Sequence, residues 1–200
     1  VVLEYKKGRC VIGNPPFGKR NNLAVAFYKK SINLCDFISF ILPISQYNNN
    51  QQMYEFDLVY SENLGLQKYI DRDIKCCLNI YRRNNNGGFN KKIKYSLKDV
   101  EIKENRRGSK QIENIDYFDI GICSYGNTIV GRIPEYQGQY VKEMYFKIHN
   151  VKYKKEILDI IKNTNWHEWV IKGSVSGQGQ FNICQWMIYK YLKEQIPELQ

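Results

Sequence analysis

Cys10-Val11-Ile12-Gly13-Asn14-Pro15-Pro16-Phe17-Gly18 is the stretch that decides how this chain folds. Cys10 to Gly13 is a short apolar run. It stops at two consecutive prolines, which lack backbone donors and fix φ, so neither helix nor ladder pairing continues through them. The run reads as a buried strand ending in a rigid loop. After Arg20, the residues Leu23, Val25, Ala26, Phe27, Ile32 and Leu34 recur with helical spacing, and Asn21 or Asn22 is available as the cap. A second apolar strand, Phe37 to Leu42, closes at Pro43. Strand, helix and strand within roughly thirty-five residues make a βαβ unit, which predicts a parallel sheet covered by helices. The loop at Asn14 then lies at a strand's C-terminal end, where open α/β sheets take their ligands.

Further along, Ser45 is expected to start a helix carrying Tyr47, Met53 and Phe56, ahead of Leu58-Val59-Tyr60. Ile74 to Tyr81 reads as a strand ending in Arg82-Arg83. Residues 84 to 115 hold few apolar positions among Asn, Gly, Lys and Arg, and read as a loop or mobile insertion. From Tyr117 to Ile148 the pattern is β-like, with alternation at Phe118 to Cys123, a turn at Gly126-Asn127 and a strand at Tyr145 to Ile148. Ile157, Leu158, Ile160 and Ile161 predict a helix, Gly173 to Gly179 a glycine-rich loop between helices, and Ile183 to Leu192 a last helix. Trp166, Trp169 and Trp186 are expected as core or interface anchors, with His167 a helix or loop residue. The expected regions are an α/β core over 1–83, a basic and β-rich part over 84–150 and a helical segment over 151–200.

Two hundred residues, 43% hydrophobic and 25% charged, describe one soluble globular domain and exclude disorder and fibrous repeats. No apolar run approaches the ~20 residues that span a bilayer, and Phe37 to Ile44 is interrupted by Ser39 and Pro43. The chain begins at Val1 with neither an initiator Met nor a secretory signal, so a preceding segment is expected. The six cysteines show no CxxC spacing, which fits a reducing, cytoplasmic setting. His149 and His167 are not spaced with cysteines as zinc ligands, so no metal is expected. The net charge is +10, and residues 82 to 110 hold ten basic groups against three acids, whereas residues 31 to 81 hold three against six. That clustering suits a polyanionic partner. A solvated loop rich in Lys and Asn gives the same composition.

The chemistry lies in Gly13-Asn14-Pro15-Pro16-Phe17-Gly18. Asn-Pro-Pro-Phe arises by chance in about one in a thousand chains of this length and composition. A planar amino or amide nitrogen is a poor nucleophile because its lone pair is delocalised. Two fixed acceptors that pull it toward a pyramidal geometry free the pair for attack. The Asn14 side-chain oxygen and the Pro15 carbonyl can each accept one hydrogen bond from an NH2 group. Successive prolines hold both acceptors in place before binding, and Phe17 offers a flat face for stacking.

This motif resembles the catalytic motif of class I S-adenosylmethionine-dependent amino-methyltransferases, most closely the adenine-N6-specific DNA methyltransferases of restriction-modification systems and phages. Phe40-Ile41-Leu42-Pro43 and Cys77-Leu78-Asn79-Ile80-Tyr81-Arg82-Arg83 are similar to the strands that follow it in that family, and the resemblance covers residues 10 to 83 well. It implies a Rossmann-like α/β methyltransferase sheet, double-stranded DNA as partner and S-adenosylmethionine as methyl donor. Asn14 and Pro15 would accept from the adenine N6 group, with Pro16 in the same rigid turn, and Phe17 would stack on a base flipped from the duplex. Lys19, Arg20, Arg82, Arg83, Arg106 and Arg107 are the candidate phosphate contacts, and residues 117 to 150 a contributor to target reading. The family's glycine-rich donor loop lies well upstream of the motif, whereas only thirteen residues precede Asn14 here. The resemblance therefore implies the C-terminal half of the sheet, with the donor site on an upstream segment or a partner subunit, or else an inactive chain, and the donor-binding residues unassigned. The same motif logic serves RNA and protein-glutamine N-methylation. A non-catalytic nucleic-acid-binding subunit, with Arg82, Arg83, Arg106 and Arg107 on phosphates and tyrosines as stacking platforms, is the competing class.

Overall fold

The computed structural model describes residues 3–70, 73–167 and 181–200. The chain is a mixed α/β protein. It forms two compact units, one ending at Ile93 and the other starting at Lys94. The sequence divided it after residues 83 and 150; the fold divides it once. Residues 84–93 stay with the first unit because Asn90 fastens them. Its backbone N–H donates to the Glu55 carbonyl at 2.8 Å, and its side chain donates to Asp57 at 2.7 Å and accepts from Asn84 at 3.2 Å.

The first unit runs β1 (Cys10–Gly13), α1 (Asn22–Ser31), β2 (Phe37–Pro43), β3 (Asp57–Lys68) and β4 (Asp73–Arg82), in the sheet order β1-β2-β4-β3. β1 and β2 are parallel, with Gly13 beside Phe40, as the βαβ pattern predicts. The remaining pairs are antiparallel, so the sheet is mixed rather than parallel throughout. The short β3–β4 hairpin has this consequence, because a tight turn joins only antiparallel strands. Along β2, Ile38, Phe40 and Leu42 are buried while Phe37, Ser39 and Ile41 are half-buried. The buried set shares its face with the in-register Tyr81, Asn79 and Cys77. α1 covers that face through Tyr28, whose ring meets Tyr81 edge-to-face at 5.2 Å.

No helix follows Ser45. A 3-10 turn at Ile44–Gln46 is succeeded by irregular chain, in which Asn49 donates to the Ser45 carbonyl, its side-chain oxygen accepts from Gln51 N, and Asn48 has φ +47. Consecutive asparagines offer the backbone local partners that compete with helix hydrogen bonds. Met53 and Phe56 still reach the core, and Phe56 N donates to the Tyr28 hydroxyl at 2.9 Å.

The second unit comprises β5 (Val100–Arg106), β6 (Ile120–Cys123), β7 (Tyr125–Gly126), β8 (Lys142–Ile148), α2 (Lys154–Asn163), β9 (Phe181–Asn182) and α3 (Gln185–Gln195). β5-β8-β6 form an antiparallel sheet and β7-β9 a two-stranded one. The expected loop over 84–115 thus contains a strand. Only Val100 and Ile102 mark it in sequence, and its partner β8 lies some forty residues on, so it is stabilised by non-local pairing. Ile122, Met144, Phe146, Ile157, Ile161, Trp166, Ile188 and Leu192 are essentially buried and form the core. Trp166 Nε1 donates to the Ile161 carbonyl at 2.9 Å, Trp186 packs on Tyr95 with ring centroids 6.0 Å apart, and His167 meets the Phe181 ring at 4.2 Å. Trp169 and the loop expected at Gly173 to Gly179 lie outside the described residues. No helix among the described residues is long and apolar enough to cross a membrane.

Candidate active site

β1 delivers Asn14 to the C-terminal end of the sheet. Pro15 is buried, Asn14 and Pro16 are exposed and Phe17 is half-buried. Gly18 adopts φ +67 and ψ −173, a region open almost only to glycine. A Cβ there would also collide with the Asn22 side chain and lie 2.7 Å from Leu23 Cγ. Arg20 and Asn21 follow at φ +54 and +64, each left-handed residue costing about 1 kcal/mol. A polar network holds them: Asn21 Nδ2 donates to Ser45 Oγ (3.4 Å) and Gln52 Oε1 (3.3 Å), and Gln52 Nε2 donates to the Arg20 carbonyl (3.3 Å). Asn21 does occupy the position preceding α1, but its side chain is engaged in this network instead of capping the helix.

Beside this loop opens a cleft of about 430 Å³, lined by Asn14 to Gly18 and by Tyr69, Ile70 and Ile74. Its size falls within the ~300–1,000 Å³ usual for small-ligand pockets. The Tyr69 hydroxyl donates to Asn14 Oδ1 at 3.3 Å, long for an O–H···O bond, and lies 3.7 Å from Cys76 Sγ. Burial, and then the contact with Cys76, push the Tyr69 phenol above its ordinary value, so at neutral pH it is a neutral donor. The Phe17 and Tyr69 rings meet edge-to-face with centroids 5.8 Å apart. Among the described residues no hydrogen bond falls on the Pro15 carbonyl. Among the described residues the lining carries no carboxylate, ammonium or guanidinium. It is an apolar, flat-walled chamber with an amide oxygen at one side, suited to a planar uncharged group bearing NH2. It does not suit S-adenosylmethionine, whose ammonium, sulfonium and ribose hydroxyls would be left without counterparts.

Tyr69 was not visible in the sequence as a site residue. It sits 55 residues from Asn14, and its membership depends on the β3–β4 hairpin lying at the same end of the sheet as the Asn14 loop. An aromatic in the turn between the third and fourth strands is the only signal, and it acquires meaning once the strand order is known. Lys68 and Lys75 are exposed on that hairpin.

The six basic candidates separate. Lys19 and Arg20 are exposed in the turn that follows the motif. Arg82 pairs in register with Phe37, at the start of β2, whereas Gly13 sits beside Phe40. Arg82 therefore lies about 10 Å down the strands, toward the far end, at ~3.3 Å per residue. Arg83 is a structural residue. Its Nε donates to Asp36 at 3.0 Å, its Nη1 to the Gly87 carbonyl, and its Nη2 to the carbonyls of Ile32 and Cys35. The rings of Tyr5, Phe56 and Phe89 surround its guanidinium at 4.9 to 5.1 Å. With four donors engaged within the chain, it is withdrawn as a phosphate contact. Arg106 and Arg107 belong to the second unit.

Burial pushes the Cys77 thiol up to about 12 and raises those of Cys35, Cys76, Cys123 and Cys184, so these cysteines are packing groups rather than nucleophiles at neutral pH. No family model matches this chain, and no curated protein or solved structure matches it at a significant level.

Proposed function

We propose that this chain is the acceptor-binding half of an S-adenosylmethionine-dependent, adenine-N6 DNA methyltransferase of the restriction-modification or phage type, with β1-β2-β4-β3 as the C-terminal half of a Rossmann-like sheet. The observation that carries this is the cleft itself. An amide oxygen, an unengaged proline carbonyl and an aromatic face line one chamber, and a second aromatic ring lies opposite.

A base entering from a duplex would take over the acceptor now shared with Tyr69. Asn14 Oδ1 and the Pro15 carbonyl would each accept one N6 hydrogen, and the polarised nitrogen would gain lone-pair density for attack. S-adenosylmethionine, bound outside this cleft, would supply the electrophilic methyl group to that nitrogen, and the surplus N6 proton would pass to water. Neither chain acceptor is basic enough to retain that proton. A base stacked between Phe17 and Tyr69 separates the two rings to about 7 Å, twice the ~3.4 Å base-stacking distance, so Tyr69 must swing from its edge-on position. Among the described residues, Lys19, Arg20, Lys68 and Lys75 are the exposed cations at this end of the sheet for the flanking phosphates. The donor site belongs to an upstream segment or a partner subunit. The outer edge of β1 supports that, since no strand among the described residues pairs with it and Ile12 is 79% exposed there.

The test is transfer of a labelled methyl group to duplex DNA by the native polypeptide, followed by nucleoside analysis. Label on N6-methyl-2′-deoxyadenosine that falls at least about a hundredfold in Asn14→Ala, the usual loss on deleting one such electrostatic contact, supports the assignment. Tyr69→Ala is expected to weaken substrate binding about tenfold, the scale of one base–aromatic stack. Label only on RNA or on a protein glutamine would replace the DNA assignment, and no transfer with salt-sensitive DNA binding retained would favour a non-catalytic subunit.

A further inference from the structure

The second unit contains a surface loop held far more firmly than closure of its chain requires. Glu143 is completely buried, yet its two oxygens are fully used. Oε1 accepts from Tyr140 N at 2.8 Å; Oε2 accepts from Gly138 N and the Tyr145 hydroxyl, both at 2.8 Å, and from Asn105 Nδ2 at 3.3 Å. Within the loop, Gln139 Oε1 accepts from Glu135 N at 2.7 Å and Gly138 turns at φ +85. Arg107 fastens it from outside, its Nη2 donating to the Gln139 carbonyl at 2.6 Å and its backbone N–H to the Val141 carbonyl at 3.0 Å. This brace displays apolar side chains to solvent: Ile133, Tyr136 and Val141 are 50, 65 and 53% exposed.

Next to the loop lies a pocket of about 390 Å³ lined by Arg106, Arg107, Tyr125, Val141, Lys142 and Asn182. Its cations are unevenly neutralised. The Lys142 ammonium is nearly buried and held by Asn182 Oδ1, the Ile183 carbonyl and Glu104. The same Glu104 stands 3.5 Å from Arg106, so one carboxylate serves two cations, and the Arg106 side chain is 69% exposed. Arg107 spends one guanidinium donor on the loop, and among the described residues its other guanidinium donors have no protein partner. A positive pocket beside a rigid, aromatic-tipped loop matches a polymer that presents phosphates at fixed spacing and flat apolar groups between them.

We propose that Arg106, Arg107 and the loop 133–141 form a duplex-DNA contact surface, with the guanidiniums on backbone phosphates, the Tyr136 ring against the sugar or base edge, and Glu143 as the positioning residue that holds the loop. This rests on the DNA partner proposed above but not on methyl transfer, since a binding subunit would use it equally.

The test is fluorescence anisotropy of a labelled duplex with the full chain over a salt series. Replacing Arg106 and Arg107 together by Ala is expected to raise Kd at least tenfold and to lower the slope of log K against log[salt] by about two, close to one per phosphate contact. Arg106→Ala alone, which leaves the loop's brace intact, is expected to lower the slope by about one. Tyr136→Ala is expected to weaken binding about tenfold with the slope unchanged. Unchanged slopes in both arginine variants overturn the proposal, as does tighter binding of wild type to structured RNA or an acidic peptide than to duplex DNA at equal salt. The two proposals fail separately. Reduced slopes without any methyl transfer sink only the catalytic assignment, and transfer with unreduced slopes sinks only this surface.

Discussion

Loops 14–18 and 133–141 both hold side chains out to solvent, but they are kept in place by different physics. The first is fixed by its covalent backbone, through two prolines and a Gly18 conformation that other residues do not reach. The second is fixed by side-chain electrostatics: the buried Glu143 carboxylate, which takes two of its four hydrogen bonds from the loop's backbone, with Arg107 fastening the loop from outside. Backbone restraint leaves Asn14 Oδ1 with a single long hydrogen bond from Tyr69 and, among the described residues, the Pro15 carbonyl with none. Electrostatic restraint concentrates the loop's order in Glu143, which is thereby lost to any ligand. The first arrangement suits the catalytic turn proposed at Asn14, and the second suits the contact loop proposed at 133–141.

That contrast can be broken at Glu143. Glu143→Ala leaves two backbone donors and a buried phenol without a partner, and a loss of about 3–5 kcal/mol in chemical denaturation is expected. A loss under 1 kcal/mol would show that the loop does not depend on its carboxylate. The Asp36–Arg83 corner of the first unit sharpens the comparison, since it too is electrostatic. Arg83→Ala is expected to cost about 2–4 kcal/mol by removing the cation beside Asp36 and the donor to the carbonyls of Ile32, Cys35 and Gly87, while the exposed Arg82→Ala should stay within ~0.5 kcal/mol. Equal effects would mean that Arg83 is not the anchor. Gly18→Ala tests the backbone-held loop and is expected to cost about 1–3 kcal/mol in the same measurement, with methyl transfer falling alongside.

The smallest effect is one of pH. The Gly8 backbone N–H, the Tyr5 hydroxyl and the Arg83 guanidinium hold the Asp36 carboxyl below its ordinary value. A carboxyl that is more acidic folded than unfolded stabilises the fold fully above its unfolded value, near ~3.9, and loses that contribution as pH falls through the folded one. Denaturation midpoints should therefore drop below pH ~4 in wild type and drop less in Asp36→Asn. Identical profiles would remove Asp36 from the account.

β1, α1, β2 and β4 were legible in the sequence because each is written in a contiguous local pattern: an apolar run, a helical period or a closing proline. β5 was not, because two apolar residues carry it and its partner lies far along the chain. The helix expected after Ser45 failed where Asn48 and Asn49 found local hydrogen bonds. In the cleft, Asn14 to Phe17 could be read directly, since motif and turn coincide. Tyr69 could not, and Arg83 was misassigned, for one shared reason. A side chain's role was set by a partner 55 or 47 residues away that pattern alone does not reveal.

The outer edge of β1 has a practical consequence for anyone handling these 200 residues. Among the described residues its outer peptide groups have no partner strand, and with exposed Cys10 and Ile12 they present no lysine, proline or bulge to discourage a visiting strand. At high concentration the chain is expected to self-associate through that edge and, under oxidising conditions, to trap the contact as a Cys10 crosslink. Placing a lysine at position 12, as Ile12→Lys, would keep preparations monodisperse at no cost to the buried face of the sheet.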